Sequence, residues 1–407
     1  MREASDRGAG TLNETDVGRL FALTGATGFL GSHLMAGLIR AGHRVVVLGR
    51  SRNGTGLADR VDALLDWFGL ESCRERIDAV EVDLLEPRLG LSRRRYDTLC
   101  PLTAGIIHCA SDTRFSERCR RESMDINVAA LHGIVTLARD AGAGCFHYVS
   151  TAYVCPTSPS LCAEVPAGPR AFANVYEEMK TLAEAEVAAL CSRHAVPYTI
   201  VRPSIVYGDS ATGRSNRFNA LYYHVRALQL IRDIYLNDIE HHGGLRSRGA
   251  GIHLDDEGTL HLPLRIFIPR RGQVNLIPVD HFVAVMAEIL GDPRTGTIYH
   301  VTSDAPRTTE ELAGYCERFL RIRGIELVCG EEMDRTVQNP AEEVFNKLVK
   351  PYLPYLADTR RFDRRNTAKL TAGLSTPEMT YAVFERCMRY AVSVNWGSTN
   401  GRYPRAT

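Results

Sequence analysis

Short apolar runs at 19–24, 44–48, 79–82, 105–108, 145–150 and 197–201 carry few charges, the pattern of strands buried on both faces. Between them, segments 29–41, 60–68, 124–141 and 175–194 read as helices whose apolar positions share one side. Strands that alternate with helices predict a parallel sheet covered on both sides, a doubly wound α/β domain.

Beyond Gly208 the pattern changes. An aromatic stretch at 218–235 reads as a helix, and 241–251 as a loop rich in Gly, His and Arg. A core-like segment returns at 274–279, followed by a helix at 282–290, and 303–407 is helical and polar. The predicted organisation is a flexible leader at 1–17 and an α/β domain from 18–211 plus 276–302. A smaller, mainly helical C-terminal lid domain comes from 212–275 plus 303–407.

Composition narrows the class. At 407 residues the chain can bury a sizeable core without disulfide staples. Its 49 basic and 48 acidic side chains leave a formal charge of +1, so neither nucleic acid nor a membrane is an expected partner. No run reaches the roughly 18 apolar residues of a membrane span. The 11 cysteines are odd in number and include no CxxC pair. They read as reduced thiols of a cytoplasmic protein, with no metal site expected. Only four basic residues are lysines, and the other 45 are arginines.

Thr24-Gly-Ala-Thr-Gly-Phe-Leu-Gly31 sets three glycines between a strand and a helix, the fingerprint of a dinucleotide-binding Rossmann domain. Gly25 permits the tight turn, Gly28 lets backbone approach a pyrophosphate, and Gly31 lets the helix lie close to the sheet. Thr27, Phe29 and Leu30 complete the expected cofactor contacts at the helix N-terminus. The next strand ends Leu48-Gly-Arg-Ser-Arg52, with no acid to bind ribose hydroxyls. Arg50 and Arg52 instead suit the 2′-phosphate of NADPH. Asp83 and Leu84, after the third strand, are placed to meet the adenine.

Tyr176-Glu-Glu-Met-Lys180 puts a phenol and an ammonium one helical turn apart. Random placement of 16 Tyr and four Lys yields only about 0.16 such pairs in this chain. Upstream, Tyr148-Val-Ser-Thr-Ala-Tyr153 ends a strand with two hydroxyls. In this order the motifs resemble the extended short-chain dehydrogenase/reductase family. The resemblance implies Thr151 as the active hydroxyl, with Ser150 as second choice, Tyr176 as proton donor and Lys180 as its partner. Lys180 and the positive charge of the oxidised nicotinamide are together expected to lower the Tyr176 pKa from about 10, and Lys180 to hold the ribose. Asn127, in Asp125-Ile-Asn-Val128, matches the family's active-site Asn and implies a water relay to the lysine. Cys109, Ala110 and Ser111 match the cofactor contacts after the fourth strand. Pro203, Ser204 and Ile205, in Arg202-Pro-Ser-Ile-Val-Tyr-Gly208, match the segment that closes over the nicotinamide.

Finer motifs are similar to the thioester reductase and fatty acyl-CoA reductase branch. They are Val82-Asp-Leu-Leu-Glu-Pro-Arg-Leu-Gly-Leu91, Ile106-Ile-His-Cys-Ala-Ser-Asp-Thr-Arg-Phe115, Ala211-Thr-Gly-Arg-Ser215, Asn275-Leu-Ile-Pro-Val-Asp280 and Tyr299-His-Val-Thr302. Tyr352-Leu-Pro-Tyr-Leu356 and Arg361-Phe-Asp363 add weaker likeness. This branch reduces an acyl thioester to an aldehyde, sometimes on to the alcohol. No adenylation or carrier domain is recognisable, so an acyl or peptidyl carrier protein, or acyl-CoA, is expected to deliver the substrate. Lys347, Lys350, Arg360, Arg361, Arg364, Arg365 and Lys369 face only Asp358 and Asp363 in sequence. They form either a surface for an acidic carrier or an ordinary solvated face. Phe218, Tyr222 and Tyr223 read as channel lining or as core. A nucleotide-sugar epimerase or dehydratase, and an NADP-sensing regulator without activity, share the fold and remain alternatives.

Overall fold

The computed structural model describes residues 18–100, 104–156, 161–168, 170–330 and 338–397. The leader expected at 1–17 lies outside the described residues. Seven strands form the main sheet: Leu20–Thr24 (β1), Arg44–Gly49 (β2), Ile77–Glu81 (β3), Gly105–His108 (β4), Phe146–Val149 (β5), Tyr198–Pro203 (β6) and Thr297–Val301 (β7). Their order is β7-β6-β5-β4-β1-β2-β3, and every neighbouring pair is parallel. The order reverses between β1 and β4. In such sheets a ligand crevice opens there, at the carboxyl ends of the strands.

The apolar runs are explained by two covered faces. Phe21, Leu23, Val45, Val47 and Ile107 point to one side, beneath helices Phe29–Arg40 (α1), Leu57–Phe68 (α2) and residues of 279–291. Ala22, Val46, Leu48, Ile106 and Phe146 point to the other, beneath Ala130–Asp140 (α3) and Val175–Arg193 (α4). Successive side chains alternate faces, so a strand buried on both sides needs apolar residues at every position.

A third cluster forms a core of its own. It joins Val225, Leu228 and Ile231 of Leu221–His241 (α5) with Leu262, Leu264, Leu320, Phe345, Phe384 and Met388. Its elements are mostly helices, but strand Leu260–Ile268 runs through it, parallel to Ile322–Cys329 and antiparallel to His253–Leu254. The helical reading of 212–275 and 303–407 did not anticipate these strands. Pro263 interrupts the first of them, and proline in a strand interior ordinarily argues against one. It is accommodated because the register shifts between His261 and Leu264. Helix Val279–Gly291 (α6) returns the chain to the main sheet. Among the described residues, no helix is long and apolar enough to cross a membrane.

Candidate active site

The crevice begins at the turn between β1 and α1. Gly25 has φ +74°, and a Cβ there would lie 2.5 Å from the Ala110 backbone nitrogen. A Cβ on Gly31 would lie 2.1 Å from the Gly25 carbonyl oxygen. Packing within the protein forces both glycines. Gly28 differs, since its Cβ would meet only the Gly25 carbonyl, at 3.2 Å. The space before it is open, as a bound diphosphate requires. Gly28 is also the N-cap of α1, where no side chain caps the helix and the first turn holds no acid. The first-turn N–H groups of Phe29 and Leu30 therefore face the crevice without a capping side chain. Cys109 and Ala110 line the far side, with the Ala110 N–H donating to Thr24 Oγ1 at 3.3 Å. Asp83 and Leu84 follow β3; Asp83 is exposed and its carboxylate accepts the Leu85 N–H at 3.0 Å.

Arg50 and Arg52 are exposed beyond β2. Two arginines that sequence reasoning missed join them. Arg60 of α2 donates to Thr27 Oγ1 at 2.6 Å and to the Arg50 carbonyl at 2.9 Å. Arg217, from the segment before α5, donates to the Thr27 carbonyl at 3.4 Å. Burial, and then the charges of Arg52, Arg217 and Arg50, lower the pKa of Arg60. Burial and Arg52 do the same to Arg217. No acidic side chain pairs with any of the four among the described residues.

Asn174 starts α4, its Oδ1 accepting the Glu177 N–H at 3.1 Å. Two residues on, in the first turn, the Tyr176 hydroxyl shares a hydrogen bond with Thr151, just beyond β5. Thr151 Oγ1 also accepts the Tyr153 N–H at 3.3 Å. Lys180 is buried, and its Nζ donates to the Val149 carbonyl at 2.8 Å and to Tyr148 Oη at 3.3 Å. The three side chains thus meet at the carboxyl end of β5. Burial pushes the Tyr176 phenol up to about 12, while the Thr151 hydrogen bond works the other way. In the chain without cofactor, burial is the largest influence on the phenol, and the Lys180 ammonium is turned to Val149 and Tyr148. Burial also brings Lys180 down to about 8, with Cys109 and Glu184 opposing the shift.

Asn127 lies in a π-helical turn, Asp125–Ala129, the kind of helix distortion often found at functional sites. Its Oδ1 accepts from Ser111 Oγ at 2.8 Å and from the Asp112 N–H at 2.9 Å, and its Nδ2 donates to the Asp112 carbonyl at 3.0 Å. This amide fixes the loop after β4. Ser150 and Ser204, at the ends of β5 and β6, have buried hydroxyls without a partner among the described residues. Buried polar groups are ordinarily satisfied, so two orphans beside the crevice fit a ligand that supplies partners. Pro203 closes β6, and the Ile205 N–H donates to the Asn275 carbonyl at 3.3 Å.

Phe115 brings an aromatic wall to Tyr176, with centroids 6.1 Å apart. Its ring lies 5.5 Å from Tyr352 and 5.6 Å from Tyr355, and Asn174 Nδ2 donates to Tyr355 Oη at 2.8 Å. Tyr223 approaches Tyr352 at 5.5 Å. Tyr222 is a core residue rather than channel lining: it is 2% exposed, and its hydroxyl accepts the Gly208 N–H at 2.9 Å. Three arginines of the basic run are paired with carboxylates. Arg360 is buried against Asp358 at 2.9 Å, Arg364 pairs with Asp304, and Arg365 folds back on Asp363 at 2.8 Å.

Residues 23–286 match the family model described as male sterility protein, an NAD-binding family. Mouse fatty acyl-CoA reductase 1 is 35% identical over 147 residues, 33% of this chain and 28% of the mouse protein. The isonitrile lipopeptide synthase of Streptomyces coeruleorubidus is 31% identical over 215 residues, 50% of this chain and 14% of the synthase. The chain therefore spans less than a third of either relative. Among solved structures, the terminal R domain from the myxalamid PKS-NRPS biosynthetic pathway superposes with a TM-score of 0.71 at 21% identity, covering 95% of both chains. UDP-glucuronic acid 4-epimerase from Bacillus cereus, in complex with NAD, gives 0.61 at 14% identity, covering 92% of this chain and 99% of the epimerase. At such identities the likeness is one of fold. The family match takes in both the glycine turn and the Tyr–Lys helix. This chain belongs to the male sterility protein family, extended NAD(P)-binding reductases related to fatty acyl-CoA reductases and thioester reductase domains.

Proposed function

We propose that this protein reduces an acyl thioester, carried on a carrier protein or on CoA, to the aldehyde with NADPH. The reading rests on Tyr176, a phenol kept protonated beside Thr151. Carbonyl reduction needs an acid there. The family relatives named for acyl-CoA reduction supply the thioester class.

The residues present fit the cofactor: open space at Gly28, hydroxyls on Ser150 and Ser204 without a partner, and four arginines with no acidic partner among the described residues. Each charge-assisted hydrogen bond from such an arginine to a 2′-phosphate contributes roughly 1.5–3 kcal/mol. When bound, the nicotinamide supplies a hydride. As the carbonyl carbon accepts it, Tyr176 donates its proton to the carbonyl oxygen and Thr151 stabilises the developing charge. The resulting thiohemiacetal separates into aldehyde and thiol. Lys180 holds positive charge behind the phenol. We assign 18–211 plus 276–302 to cofactor binding and 212–275 plus 303–407 to covering the substrate, with the Phe115–Tyr352–Tyr355 wall as its border.

Incubation with acyl-CoA or acyl-carrier thioesters and NADPH should yield an aldehyde, trapped as its hydrazone, with matching NADPH consumption. Epimerisation of a nucleotide sugar without net cofactor consumption would overturn the reading. The Lys180 shift adds a pH signature: the ammonium is charged below about 8 and neutral above it. Accordingly, kcat/KM should fall as pH rises through about 8, and Lys180→Met should abolish that limb along with most activity.

A further inference from the structure

The chain that follows strand Ile205–Tyr207 doubles back across the glycine turn before entering α5. Its base is clamped by Asp280 of α6, which accepts the Ser210 N–H at 2.8 Å and its hydroxyl at 2.7 Å. Three contacts then fasten it to the cofactor end. The Arg214 guanidinium lies 4.4 Å over the Trp67 ring of α2 and donates to the Trp67 carbonyl. Asn216 Nδ2 donates to Ser32 Oγ of α1 at 2.8 Å, and Arg217 donates to the Thr27 carbonyl at 3.4 Å. On its other side the same segment meets the second core. A Cβ on Gly213 would lie 2.5 Å from the Arg386 carbonyl oxygen, and the Phe218 ring is 5.3 Å from Tyr222 and 6.4 Å from Trp396.

We propose that residues 210–218 are a clasp whose closing contact is Arg217 with the NADPH 2′-phosphate, so that phosphate recognition secures the second core over the cofactor. The proposal rests on the NADPH reading above. Arg60 and Arg217 converge on the two oxygens of one residue, Thr27. Arg60 is also tied to Arg50, and no carboxylate offsets the charge among the described residues. One long bond to a carbonyl is little to hold the Arg217 guanidinium near Arg52 and Arg60, because like charges repel. A dianionic group between them reverses the sign of the interaction. NADH lacks that group and leaves the arginines in mutual repulsion. Arg50 and Arg52 read the phosphate from the sheet side, while Arg217 reads it from the segment that leads into the second core.

Titration calorimetry with 2′,5′-ADP and 5′-AMP isolates the phosphate from the nicotinamide. Wild type should bind 2′,5′-ADP at least ten-fold more tightly, and Arg217→Ala should shrink that gap by about ten-fold, with Arg217→Lys recovering part. In amide hydrogen exchange, NADPH and 2′,5′-ADP should slow segment 210–218, whereas NADH should not. An unchanged gap in Arg217→Ala, together with its collapse in the Arg50→Ala/Arg52→Ala double variant, would overturn the clasp but leave NADPH use standing. Equal affinity of wild type for the two fragments would overturn both.

Discussion

Tyr176→Phe should reduce turnover by about 100-fold or more and leave NADPH affinity near that of wild type. The substitution removes one oxygen and keeps the ring, so the Phe115 contact at 6.1 Å survives. What disappears is the hydrogen bond to Thr151 and the proton proposed to reach the substrate carbonyl. Thr151→Val should lower turnover as well, while Thr151→Ser keeps a hydroxyl in place and should retain most of it. Single-turnover measurement at saturating thioester reports the chemical step directly. Near-normal rates for Tyr176→Phe would mean that another group delivers the proton, and the assignment of this site would fail.

The parts of this site that were legible in the sequence are those encoded within a single turn of chain. The glycines at 25, 28 and 31 and the Tyr176–Lys180 spacing each state a local geometry, and the sheet alternation places them at one crevice. What stayed hidden depends on segments far apart in sequence. Arg60 and Arg217 share Thr27 as neighbour across 33 and 190 residues, and neither sits in a recognisable pattern. The aromatic wall likewise needs 115, 176, 352 and 355 to meet. Within the basic run, local pairing was visible in the sequence but went unused. Arg114, Arg360 and Arg365 each follow an aspartate by two residues, and each turns its guanidinium back onto that carboxylate. Asp-x-Arg spacing is visible in sequence and marks a local pair; counting net charge over a window hides it. The strand at Leu260–Ile268 was missed because Pro263 obeys a bulge that only the partner strand reveals.

Arg202→Met should destabilise the protein by about 3–5 kcal/mol, because it leaves Glu184 as a buried and unpaired carboxylate. The pair is bidentate: Arg202 Nε and Nη2 donate to the two Glu184 oxygens at 2.9 and 2.5 Å. The side chains are 0% and 4% exposed. Nη2 also donates to the Val165 carbonyl at 3.0 Å, and Nη1 lies 3.2 Å from His300 Nε2. In the sequence Arg202 belonged to the segment expected to close over the nicotinamide, but in the fold it braces β6 against α4. Denaturant unfolding should show the loss in Arg202→Met, and adding Glu184→Gln should recover part of it by removing the stranded charge. Full recovery is not expected, since the acceptors on Val165 and His300 stay without their donor. Glu184→Gln has a second consequence, because Glu184 is one of the two charges that raise Lys180 against its burial. With it neutralised, the Lys180 pKa should drop below about 8, and the alkaline fall in kcat/KM should move to lower pH. A profile unmoved in Glu184→Gln would show that the limb belongs to another group, whatever the stability measurements give.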